Sequence, residues 1–115
     1  MTLLNDAQVW TTACRYHFLL PGRGVGVLLP DGAQAALFRL DDGSLHAVGN
    51  IDPFSGAAVM SRGIVGDRAG RATVQSPLKK QTFALDDGGC LDCPDVRLPV
   101  YVTRVTPDGD VQVGS

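Results

Sequence analysis

The sequence predicts an all-β fold on three observations. The 14 glycines and 7 prolines break the chain into short runs rich in Val, Leu, Ala and Phe, with turn signals between nearly all of them. Asp-Gly pairs recur between these runs, and a glycine supplies the positive φ that tight hairpin turns need. Both ends of the chain read as strands. The predicted strands lie near Gln8 to Ala13, Val25 to Leu29, Ala33 to Leu40, Leu45 to Gly49, Ala72 to Gln75, Thr82 to Leu85, Val100 to Val105 and Asp110 to Val113. Asp41-Asp42-Gly43-Ser44 closes the hairpin between the third and fourth runs. Asp86-Asp87-Gly88-Gly89 ends the sixth, and Pro107-Asp108-Gly109-Asp110 joins the last two, with proline fixing φ at the turn's start. In the seventh run, alternation puts Val100, Val102 and Arg104 on one face and Tyr101, Thr103 and Val105 on the other. Leu3 to Ala7 is the only helical candidate.

Length and composition bound what such a fold can do. At 115 residues the chain has the size of one domain and can bury a core without staples. A formal charge of -2 argues against a polyanion, so nucleic acid is not an expected partner. Met1 to Trp10 lacks a basic stretch leading into an apolar core, and no apolar run approaches the roughly 20 residues of a membrane helix. No membrane association is expected, and the cytoplasm is the expected compartment. Three cysteines are odd in number and too few for a disulfide framework, so they read as free thiols.

Two loops carry the chemistry. Asp52-Pro53-Phe54-Ser55-Gly56-Ala57-Ala58-Val59 and Ser76-Pro77-Leu78-Lys79-Lys80-Gln81-Thr82-Phe83 have the frame of Cys-x-His-x-Gly-x-x-apolar followed by Cys-Pro-x-His-Gly-x-x-Phe. That is the ligand pattern of a Rieske iron-sulfur domain, in which two thiolates hold one iron and two imidazoles the other. Pro53, Gly56, Val59, Pro77 and Phe83 keep the frame, while the four ligand positions fall on Asp52, Phe54, Ser76 and Lys79. A benzene ring has no lone pair to donate and an ammonium group has no acceptor. The chain therefore resembles a Rieske fold without its 2Fe-2S cluster, and the resemblance implies an antiparallel β-sandwich with two apposed loops. A vacated cluster site would leave a void, and a cavity costs on the order of 24 cal/mol per Å³. Phe54 and Leu78 are the residues expected to fill it, with Asp52 and Ser76 bonded to loop backbone donors.

Three stretches, Asp52 to Ala57, Ser61-Arg62-Gly63-Ile64-Val65-Gly66-Asp67, and Ser76 to Phe83, resemble the small-subunit family of assimilatory NAD(P)H-dependent nitrite reductases, over nearly the whole chain from Trp10 to Val113. The resemblance implies a cytoplasmic, non-catalytic partner of a large subunit that carries FAD, a 4Fe-4S cluster and sirohaem and reduces nitrite to ammonium in nitrate assimilation. It implies no cofactor, metal ligand or catalytic residue in this chain. It also implies docking through the tip of the two loops. Lys79 and Lys80 give that tip two adjacent positive charges, and Arg62 adds another on the segment between the loops. Charges at the rim of an interface act mainly on association rate and orientation.

Other readings of the same residues exist. Cys14-x-x-His17 and Cys90-x-x-Cys93 together form a Cys3His inventory of the kind zinc accepts, provided that the two pairs converge. Cys90 and Cys93 alone could be an exchanging dithiol, although such motifs sit at helix N-termini and Pro94 follows this one. A stand-alone Rieske-like binding or regulatory module would share every structural expectation with the subunit reading. His17 and His46 are the only histidines, too few for a centre built on imidazole general-base chemistry.

Overall fold

The computed structural model describes residues 8–115, and the helical candidate at Leu3 to Ala7 lies outside them. Among the described residues there are nine strands: β1 (Trp10–Arg15), β2 (Gly24–Leu28), β3 (Gln34–Arg39), β4 (Leu45–Gly49), β5 (Ile64–Arg68), β6 (Arg71–Gln75), β7 (Thr82–Ala84), β8 (Val100–Val105) and β9 (Asp110–Gly114). Two short 3-10 turns, Tyr16–Phe18 and Met60–Arg62, interrupt them. All pairings between strands are antiparallel. They form a six-stranded sheet of order β1-β9-β8-β4-β3-β2 and a three-stranded sheet of order β5-β6-β7.

The core explains why β3 is a continuous apolar run. Ala35, Ala36, Leu37 and Phe38 are all buried. Ala36 and Phe38 face one cluster with Val48, Met60, Val74, Phe83, Leu85 and Leu98. Ala35 and Leu37 face a second cluster with Leu19, Val27, Leu29, Ala47, Val111 and Val113. A strand covered on both faces has no polar side to alternate with. The first cluster joins the large sheet to the small one. In the second, Val111 and Val113 of β9 share a cluster with Leu37 of β3, with two strands between them in the sheet order, so the large sheet curls over itself.

Each predicted strand is present within a few residues, and the Asp-Gly turns are where expected. Gly43 has φ +88, and Asp42 Oδ1 accepts the Ser44 amide at 2.9 Å. β5 is an additional strand. It is an edge strand in which only Val65 is even partly buried, so it carries no hydrophobic alternation to read. Its turn to β6 is Ala69-Gly70, with Ala69 at φ +54. An alanine in that conformation is uncommon and gives no sequence signal. The first predicted strand shifts from Gln8–Ala13 to β1, where a bulge between Thr12 and Cys14 adjusts its register against β9.

Candidate functional site at the paired loops

The small sheet brings the two loops to one place. The first loop leaves β4 and enters β5 at Ile64; the second is the connection from β6 to β7. Ile64 and Thr82 both pair with Gln75, so the exit of the first loop and both ends of the second share one end of the sheet.

Asn50, which is buried, anchors the first loop. Its Oδ1 accepts the Ser61 amide at 2.7 Å, its Nδ2 donates to Gln34 Oε1 at 3.1 Å, and its backbone carbonyl accepts the Met60 amide at 3.0 Å. These bonds close the loop at its base, and Met60 plugs the first core from within it. Further out, the Asp52 amide donates to the Ala57 carbonyl, and the Gly56 amide returns to the Asp52 carbonyl with Gly56 at φ +76. The second loop closes in the same manner. The Ser76 amide donates to the Gln81 carbonyl at 2.9 Å and the Lys80 amide to the Ser76 carbonyl at 3.1 Å. Lys80 holds φ +68, in the left-handed region, at the position where the Rieske pattern has glycine.

The two loops are joined at Asp52 and Ser76, both with 0% exposure. Ser76 Oγ donates to Asp52 Oδ2 at 2.6 Å. The other carboxylate oxygen, Oδ1, accepts the Phe54 amide at 2.8 Å, and Ser76 Oγ accepts longer bonds from the Leu78 and Lys79 amides at 3.3 and 3.4 Å. The hydroxyl thus uses its one donor and both lone pairs. Burial alone would raise the Asp52 carboxyl; the hydrogen bonds from Ser76, the Phe54 amide and Ser55 outweigh it and leave the group below the ordinary carboxylate range.

The expected filling of the site divides. Phe54 is half-buried, packed on the first core with its ring centroid 6.2 Å from that of Phe83. Leu78 corrects the expectation: it is 53% exposed and fills no space between the loops. Between the loops, Asp52 and Ser76 are instead in direct contact. Lys79 and Lys80 are exposed beside Leu78. Arg62 is exposed too, but it lines a separate open cleft of about 460 Å³ with Arg23, Ser61 and Ile64, and neither lysine borders that cleft. Asn50 and the Asp52–Ser76 bond are what residue-type reasoning missed. A lone asparagine straight after an apolar strand was the available signal for the first.

The two cysteine pairs do not converge. Cys14 packs with the second core, whereas Cys90 and Cys93 pack with the first. His17 is exposed, with Phe18 as its ring neighbour. Burial pushes the Cys14 thiol up, away from the thiolate that a metal needs. Among the described residues no three His, Cys, Asp or Glu side chains gather as a metal site, and this removes the zinc reading. The Cys90 to Cys93 segment is a loop pinned to β7 by a bridge between Phe83 and Cys90, not a helix N-terminus, so the dithiol reading loses the dipole it needs.

Residues 9–114 match the family described as Rieske-like [2Fe-2S] domain. Over 105 residues the chain is 42% identical to the nitrite reductase (NADH) small subunit of Salmonella typhimurium, covering 90% of this chain and 95% of that one. The chain belongs to the Rieske-like domain family and, within it, to the nitrite reductase small subunits. A crystal structure of an NADH-dependent nitrite reductase small subunit from Mycobacterium tuberculosis is 76% identical, with a TM-score of 0.92 over 94% of this chain and 96% of that one. A third similarity is of another kind. The nitrite reductase [NAD(P)H] large subunit of Klebsiella oxytoca is 36% identical over 109 residues, 95% of this chain but 11% of that protein.

The side chains at the loops of this small-subunit family member do not fit the cluster for which the wider domain family is described. Phe54 offers no lone pair and Lys79 offers only donors. Asp52 and Ser76 oxygens are in direct contact at 2.6 Å, where an iron would have to stand between the first and third ligand positions. None of the three cysteines falls at a ligand position of the pattern.

Proposed function

We propose that this chain serves as the small subunit of an NAD(P)H-dependent nitrite reductase. It docks on the large subunit and supports reduction of nitrite to ammonium without a redox centre of its own. The observation that carries this reading is the double similarity: the same stretch matches free-standing small subunits almost end to end and also a segment inside a large-subunit polypeptide. A module found both as a separate chain and joined to its partner is one that works beside that partner. The donor chemistry of the loops supports the non-catalytic role. FAD, the 4Fe-4S cluster and sirohaem are assigned to the large subunit, and both subunits to the cytoplasm. Among the described residues no helix is long and apolar enough to cross a membrane.

Docking is assigned to the loop tip, with Lys79 and Lys80 facing acidic groups of the large subunit and Arg62 outside the contact centre. The test is co-expression with a tag on this chain alone. The large subunit should co-purify, and nitrite-dependent NAD(P)H oxidation by the separated large subunit should rise when this chain is added back. A large subunit that never associates and is equally active without this chain would overturn the reading, in favour of a stand-alone module.

A further inference from the structure

We infer that Asp52 and Ser76 are positioning residues for assembly: their buried hydrogen bond locks the two loops together, in the place of a shared metal group, and so fixes the surface that the large subunit recognises. This inference rests on the subunit reading above and adds to it the residues that hold the recognition surface in shape.

The two loops come from connections 24 residues apart, and among the described residues the Asp52–Ser76 bond is the hydrogen bond that joins them. Each partner also organises its own loop, Asp52 through the Phe54 amide and Ser76 through the Leu78 and Lys79 amides. The Ser76 carbonyl holds the Lys80 amide at 3.1 Å, and Gln75 Nε2 caps the Lys80 carbonyl at 3.1 Å. Leu78, Lys79 and Lys80, the exposed residues at the tip, therefore all hang from Ser76. A left-handed lysine persists only where its surroundings over-determine it, and these bonds do so.

The cost of the buried charge separates a recognition role from mere packing. A carboxylate with 0% exposure is an expensive filler, since a well-packed apolar pair does the same job without desolvating a charge. What a directional bond adds is a single fixed relation between the loops, and a preorganised surface loses less freedom on binding.

The experiment compares wild type with Ser76→Ala, Asp52→Asn and the double variant. It measures amide hydrogen exchange in the free chain and the dissociation constant for the purified large subunit. Removing one partner of a bond to a charged group should open the loops and weaken association by about tenfold or more. Exchange should quicken at Phe54, Leu78, Lys79 and Lys80 while β3 amides such as Leu37 stay protected, and the double variant should be no weaker than the worse single variant. Faster loop exchange with affinity within about twofold of wild type would overturn the inference and leave the subunit reading intact. Unchanged loop exchange would overturn it as well. Variants whose β3 amides exchange as freely as their loop amides would assign the pair to the stability of the whole fold, against the proposal. A wild-type chain that does not bind the large subunit would instead overturn the subunit reading itself.

Discussion

At the scale of single residues, the site is decided by Asp52. Its carboxylate is buried and satisfied, so its stabilising contribution follows the usual sign for a lowered carboxyl. It is fully present above the unfolded value of about 3.9 and is lost as pH falls below that toward the lower folded value. Acid titration of stability should therefore show wild type losing more than Asp52→Asn between about pH 5 and pH 2, with the two curves parallel near neutrality. A wild-type curve no steeper than that of Asp52→Asn would mean that the carboxylate gains nothing from its partners. Ser76→Ala should cost about 1.5–3 kcal/mol in denaturant unfolding at neutral pH, because the Asp52 charge stays buried with one hydrogen bond fewer. Lys80 combines a left-handed backbone, φ +68, with a cationic side chain.

At the scale of elements, the loops depend on what the small sheet packs against. Phe83 is fully buried in β7 and carries the half-buried Phe54 ring. Phe83→Ala should destabilise by about 3–5 kcal/mol, and the fluorescence or NMR signature of the first loop should change with it. Gly88 is a second sensitive point. It has φ +77, and a Cβ there would collide with the Leu98 carbonyl oxygen. Gly88→Ala should cost about 2–4 kcal/mol, combining left-handed strain with an overpacked backbone contact, and a thermal midpoint unchanged from wild type would contradict that packing. Strands bounded by Asp-Gly turns or apolar on a buried face were legible in the sequence, because those signals are local. β5 was not, since an exposed edge strand ending in Ala69-Gly70 has neither signal. The order of Pro, Gly and Phe makes the loops legible, whereas the exposure of Leu78 is not: an apolar side chain says what it could bury, not which way the backbone turns it. The Asp52–Ser76 bond was invisible for a related reason, because the two residues meet only after two sheets have formed.

At the scale of the whole molecule, a small net negative chain presents two adjacent exposed lysines at one end. Assembly through that end should be electrostatically steered and sensitive to salt. Reversing both charges, Lys79→Glu with Lys80→Glu, should weaken association with the large subunit most at low ionic strength, with the difference from wild type shrinking as salt rises. Equal affinities at low salt would move the contact elsewhere on the surface. The identity to small subunits across nearly their full length, together with the segment shared with a large subunit, makes the partner the large subunit rather than an unrelated protein. In this chain a hydrogen bond between Ser76 Oγ and Asp52 Oδ2 joins two of the four ligand positions. The most direct test is iron content and visible absorbance of the chain purified after expression with an adequate iron and sulfide supply. A colourless protein with no stoichiometric iron is the predicted result, and two irons per chain with the absorption bands of a Rieske centre would contradict it.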